Sequence, residues 1–133
     1  MDRVVLEQKL ESLRRCVTRV HAKRPENLEA LIADPDAQDV IVLNLSRAVQ
    51  LCVDIAMHHL ASSDSPVPQT MGQAFDLLAQ QGVIDEALAQ RMRKAVGFRN
   101  LAVHSYDSIE WAMVLSIATD HLDDFKAFAK AFV

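Results

Sequence analysis

The sequence predicts an all-α protein: an up-and-down bundle of four main helices with short helices between them. Three observations carry this. Apolar residues recur at three- and four-residue steps almost throughout, the repeat that one buried helical stripe requires. Only three glycines and four prolines interrupt the 133 residues. No stretch alternates apolar and polar residues as a half-buried strand would. The length is that of one domain, residues 1–133, and with half of the residues apolar it can bury a core.

The first helix is expected over Asp2 to Lys23, where Val5, Leu6, Leu10, Leu13, Val17 and Val20 form its stripe before Pro25 stops it. A short helix follows in "ENLEALIA". "DPDAQDV" starts the next: Asp34 can cap, Pro35 suits the first helical position, and Asp36 and Asp39 favour the positive end of the helix dipole. This helix runs to about Ala61 and is apolar around much of its circumference, which places it at the centre of the bundle or in an oligomer interface. Its one polar stripe is Arg47, Gln50, Asp54 and His58.

"SSDSPVPQ" reads as a loop, because Pro66 and Pro68 forbid a continuing helix. "TMGQAFDLLAQQG" gives a short helix ended by Gly82, and "IDEALAQRMRKAVGFRNLAV" a longer one capped by Asp85. The last helix is expected to start at "DSIE", with Asp107 and Glu110 at capping-box spacing. Trp111, Leu115, Ala118, Leu122, Phe125, Ala129 and Phe132 would carry its stripe to the C-terminus.

Charge is distributed unevenly about a net of −4. Residues 1–24 carry seven Lys/Arg against three acids, residues 25–90 one against ten, and residues 91–106 four against none. Such a chain either presents a positive face to a polyanion despite its acidic total, or simply has an uneven solvated surface. The N-terminus has no signal-peptide core, and no apolar run suggests a membrane span, so a cytoplasmic protein is expected. Cys16 and Cys52 lie in helical patterns without CxxC spacing, as reduced core thiols do, and no metal-ligand spacing is found. His58 and His59 are adjacent and diverge by about 100° on a helix, so they are not a ligand pair.

The stretch "RNLAVHSY" collects Arg99, Asn100, His104 and Tyr106 within eight residues. Asn100 and His104 share a helix face. Arg99 and His104, five apart, are about 140° apart on an ideal wheel. To meet on one phosphate they need a helix end near His104 or a second surface, for which another copy of the chain is the simplest source. Arginine offers a forked, permanent charge for phosphate oxygens, and histidine can accept and return a proton near neutrality. RNA carries its own nucleophile, the 2′-hydroxyl, so such a pair could cleave it without a metal. Read from pattern alone, the cluster is equally an ordinary set of capping and surface groups.

"FRNLAVHSY" resembles the R-x4-H-x-Y motif of the HEPN superfamily, and within it the HepT-type toxins of prokaryotic toxin–antitoxin pairs. "DPDAQDVIVLNLSRAVQLCVDIAMHHL" is similar to the long second helix of that family, and "FRNLAVHSYDSIEWAMV" to its motif helix and the start of its last helix. The resemblance implies a HEPN-type homodimer whose two motif regions share a cleft. It implies a metal-independent endoribonuclease acting on cellular RNA, with tRNA a candidate target, and no cofactor. Arg99 and His104 match the catalytic pair, and Asn100 its polar companion. Tyr106 matches the tyrosine to which a partner antitoxin, a minimal nucleotidyltransferase of the MntA type, transfers AMP from ATP. The added bulk and charge would block RNA. Phe98, where small or aliphatic residues are common, and Ser105, where Glu is frequent, depart from the pattern.

Arg47, Asp54 and His58 either line the same cleft or form a structural salt-bridge stripe. Trp111 reads as core rather than as a platform for a base. His21 and His121 read as surface residues, and Met57, Met71, Met92 and Met113 as packing. The competing function is a non-catalytic HEPN module that docks a nucleotidyltransferase and assists nucleotide or substrate binding. The third possibility is a structural bundle in which the motif merely caps a helix.

Overall fold

The computed structural model describes residues 2–133. Seven α-helices follow in order: α1 (Arg3–Lys23), α2 (Leu28–Ile32), α3 (Pro35–Ala61), α4 (Met71–Gln80), α5 (Glu86–His104), α6 (Trp111–Asp120) and α7 (Leu122–Lys130), with a 3₁₀ turn at Tyr106–Ser108. Five helices start on a side chain that accepts an otherwise orphaned backbone N–H: Asp2 from Val4, Asn27 from Ala30, Asp34 from Ala37, Thr70 from Gln73 and Asp85 from Leu88. Gly82 ends α4 with φ +75°, and the Val83 N–H returns to the Leu78 carbonyl at 3.0 Å. That left-handed residue is why glycine stands there.

The central helix is α3, which packs against every other α-helix. Ile41, Leu45, Cys52, Ile55 and Ala56 are fully buried on it. By length and composition α3 alone among the described helices could cross a membrane, and 56% of its most apolar stretch is buried inside the protein. Leu13, Cys16, Val17 and Val20 of α1 pack on it, as do Phe75 and Leu78 of α4. Cys16 and Cys52 are buried free thiols, and burial pushes both above the ordinary thiol range.

The expected last helix departs from its reading in two ways. It starts not at an Asp107–Glu110 capping box but after a 3₁₀ turn, with Glu110 at the cap position making no side-chain bond to the backbone. It also breaks at His121 into α6 and α7. Asp123 and Asp124 supply the reason: they form the first turn of a new helix, where negative charge is favoured. Asp124 also accepts from Arg91 at 2.8 Å and lies 3.2 Å from the His121 ring. The buried positions are Val114, Ala118, Leu122, Phe125 and Phe128, while Trp111, Leu115, Ala129 and Phe132 lie at the core margin. Phe128 meets Phe75 edge to face at 5.7 Å, closing the core over α4. His21 is exposed as expected, His121 is half-buried, and Met113 is exposed rather than packed.

Candidate functional site

The motif occupies the C-terminal end of α5 and the turn beyond it. Leu88, Ala89, Met92, Val96, Phe98 and Ala102 anchor α5 in the core. This turns Asn100, Val103 and His104 outward and leaves Arg99 half-buried. The helix ends at His104: the Ser105 N–H still reaches the Leu101 carbonyl at 2.8 Å, but Ser105 itself leaves helical geometry. The expected helix end near His104 is present, made by Ser105 and the 3₁₀ turn rather than by an Asp107 cap, but Arg99 and His104 both still lie on α5.

Arg99 donates from Nη1 to Asn100 Oδ1 at 3.0 Å. This bond turns the guanidinium toward the outward face of the helix end, and it joins two of the expected site residues. Within one chain Arg99 and His104 are not hydrogen-bonded to each other. His104 is exposed at the last position of α5, its imidazole open to solvent.

Tyr106 sits beyond the helix, in the 3₁₀ turn. Its hydroxyl donates to Asp39 Oδ1 at 2.7 Å, and its ring meets Trp111 edge to face with centroids 6.1 Å apart. A long-range contact to Asp39 and a local one to Trp111 thus hold a side chain that is still 39% exposed. Burial first, then the bond to Asp39 and its charge, push Tyr106 up to about 12. The phenol is held neutral and hydrogen-bonded at physiological pH. Asp39 is the site residue that sequence reading assigned only to the helix dipole. No local signal could have shown more, because its partner lies 67 residues away.

The basic run around the motif is partly neutralised. Arg91 pairs with Asp124 at 2.8 Å and Arg93 with Asp76 at 3.6 Å. Lys94 and Arg99 pair with no carboxylate among the described residues. Lys94, but none of Arg99, Asn100, His104 and Tyr106, lines an open cleft of about 610 Å³ between α5 and the α6–α7 pair, floored by Phe98, Leu101, Ile117 and Phe125. Exposed Met113 lies at the cleft, and Val103 is exposed on the next turn of α5.

Arg47, Asp54 and His58 lie elsewhere on α3. Arg47 joins Arg15 and Arg19 along a groove between α1 and α3, to which residues 99–106 contribute nothing. Asp54 also lines that groove, accepts from Gln50 at 2.9 Å and is 3.7 Å from Lys9. His58 is exposed near the end of α3. A single chain does not bring this stripe to the motif. Among the described residues, no group of three or more His, Cys, Asp or Glu side chains is placed to hold a metal ion.

Fold and site together define an α-helical HEPN protein: a bundle around one long apolar helix, with R-x4-H-x-Y straddling the end of a later helix. Residues 6–132 match the ribonuclease HepT-like family, and the chain belongs to it. The chain is 32% identical to the mRNA nuclease HepT of Shewanella oneidensis over 124 residues, which is 93% of this chain and 92% of that protein. The structure superposes with TM-score 0.91 on a tri-AMPylated Shewanella oneidensis HEPN toxin solved in complex with its MNT antitoxin, at 31% identity over 99% of this chain and 98% of that one. A toxin–antitoxin complex solved with AMP-PNP gives TM-score 0.89 at 30% identity over 96% of each chain. YutE of Bacillus subtilis, 14% identical, shares the fold at TM-score 0.82, covering 98% of this chain and 87% of that one.

Proposed function

We propose that this protein is the toxin of a toxin–antitoxin pair, an endoribonuclease silenced by adenylylation of Tyr106. The observation that carries the reading is the motif at the broken end of α5, in a chain similar over almost its whole length to a named mRNA nuclease and to an AMPylated toxin.

His104 takes the proton of a ribose 2′-hydroxyl, and the freed oxygen attacks the adjacent phosphorus. Arg99 stabilises the charge that builds on the phosphoryl oxygens, oriented by its bond to Asn100. The bond from phosphorus to the 5′-oxygen breaks, that oxygen leaves with the electron pair and takes a proton from water, and a 2′,3′-cyclic phosphate remains. The substrate supplies the nucleophile, so no metal-bound water is needed. The substrate is cellular RNA: mRNA is the one in the relative's name, and tRNA offers the same linkage.

The active form is a homodimer. An exposed Val103 and Met113 beside an open apolar cleft give α5 and α6 a face suited to a second copy. Pairing there lets the His104 of one chain and the Arg99 of the other approach one phosphate, which the 140° divergence on a single helix resists. Arg47, Asp54 and His58 can line the shared cleft only if the dimer brings α3 of one copy to α5 of the other.

The partner is a minimal nucleotidyltransferase of the MntA type, and both proteins work in the cytoplasm. Transfer of AMP to Tyr106 places a bulky anion two residues from His104, where it repels the RNA backbone. Two measurements test the reading. Purified protein should cut total RNA with EDTA present and leave cyclic phosphate ends. Co-expression with the partner should relieve toxicity and add whole AMP units to Tyr106 by intact-mass and peptide analysis. Absence of cutting, or modification only at other residues, removes the corresponding half of the proposal.

A further inference from the structure

We propose that Asp39 of the toxin is the proton acceptor for its own modification, so that the adenylylated chain supplies a catalytic group to the reaction that silences it. The inference rests on the reading of Tyr106 as the AMP acceptor and extends it to a residue of α3.

A neutral phenol is a weak nucleophile and must lose its proton as it attacks phosphorus. Partial burial and the hydrogen bond to Asp39 favour the neutral phenol, so the proton leaves as the attack proceeds. The one group on that proton is the Asp39 carboxylate, whose Oδ1 accepts it at 2.7 Å, within the reach a general base requires. The Trp111 ring fixes the phenol from the side, and both the hydroxyl-bearing residue and Asp39 are exposed, so a nucleotide held by a partner protein can reach the oxygen. In the transfer, a bond forms between Tyr106 Oη and the α-phosphorus of ATP. The bond from that phosphorus to the bridging oxygen of the β-phosphate breaks, and pyrophosphate leaves with the electron pair. The phenolic proton passes to Asp39 and then to water. The aryl ester oxygen that results carries no hydrogen, so the Asp39 contact ends with the reaction and the modified side chain is released from α3.

The test compares wild type, Asp39→Asn and Asp39→Ala as substrates of the intact nucleotidyltransferase with ATP and magnesium, following the mono-AMP species by intact mass. Asparagine keeps an oxygen for the tyrosine hydroxyl and so keeps the orientation, but it is not a base. As proton acceptor, Asp39 predicts that Asn slows the first transfer by about 100-fold or more, and that Ala is no worse than tenfold beyond that. Asn within about threefold of wild type, whether Ala is slow or not, overturns the proposal and leaves Asp39 as a tether at most. Asp39 is exposed, so both variants should fold; matching melting curves and co-purification with the partner verify it. Wild type that gains no AMP on Tyr106 defeats the earlier reading instead, and the two failures are thereby separated.

Discussion

Replacing His104 with alanine separates chemistry from folding. The side chain is exposed at the last position of α5 and packs into nothing. Its contribution to stability is limited to a charge at the helix C-terminus, about 0.3–1 kcal/mol when protonated, offset by alanine's better helix propensity of some tenths. At pH 7.5 the net change should stay within about 0.5 kcal/mol, which for a chain of this size moves the melting midpoint by about 2 °C. Removing a general base, in contrast, should slow cleavage by about 10²–10⁴. That corresponds to roughly 2.7–5.4 kcal/mol on the barrier at 1.36 kcal/mol per factor of ten. The catalytic effect therefore exceeds the folding effect at least fivefold. Initial rates on an end-labelled RNA in EDTA give the first number, and thermal melting by circular dichroism the second. Cleavage within threefold of wild type would refute the role of the imidazole. A melting loss large enough to unfold the variant at assay temperature would refute the claim that its side chain carries no structural load.

Arg99→Lys keeps a charge but loses the planar fork and the bond to Asn100; cutting should fall at least tenfold, with a weaker fall on the KM side than on kcat. Phe128→Ala opens a hole against Phe75 in the fully buried core and should cost about 3–5 kcal/mol in denaturant unfolding, with the motif untouched. The chain has one tyrosine, so phenolate absorbance reports Tyr106 alone. Its midpoint should lie near 12 in the folded protein and fall in Asp39→Ala, though only part of the way to the ordinary value near 10, because burial, the larger cause, remains. The sign follows: a raised folded value gives stability present in full below about pH 10 and lost as pH rises through about 12, and equal midpoints in the two proteins would remove the Asp39 bond from solution. Tyr106→Phe should leave a toxin that still cuts RNA and that the nucleotidyltransferase no longer silences; continued silencing in co-expression would move the modification site elsewhere.

The helices up to His104 were readable from the chain because what sets them is local. Asp34 before Pro35, Thr70 before α4, Asp85 before α5 and Gly82 after α4 each act on backbone groups within about five residues. The long apolar circumference of α3 announced a central helix for the same reason: the repeat is written in consecutive residues. The motif was legible as residue types at fixed spacing, and so was the conflict between Arg99 and His104 on the wheel. What lay beyond reach depended on which elements come to rest against each other. Asp39 looked like one more acid near a helix start, and the packing of α3 against the turn after α5 put its carboxylate on the Tyr106 hydroxyl. The stripe of residues 111–132 fitted one helix, yet Asp124 satisfies Arg91 and His121 across α5 and α7, and the chain breaks to allow it. The run of residues 91–106 carries four bases and no acid, and ion pairs with Asp124 and Asp76 leave only Lys94 and Arg99 without a carboxylate among the described residues. Hydrogen bonds and ion pairs between residues tens of positions apart form only after the apolar stripes have fixed the helices in place. The sequence alone therefore determined where the helices up to His104 lie and which chemistry the motif offers; the tertiary structure decided where the last helix breaks, which charges remain free and which carboxylate holds the tyrosine.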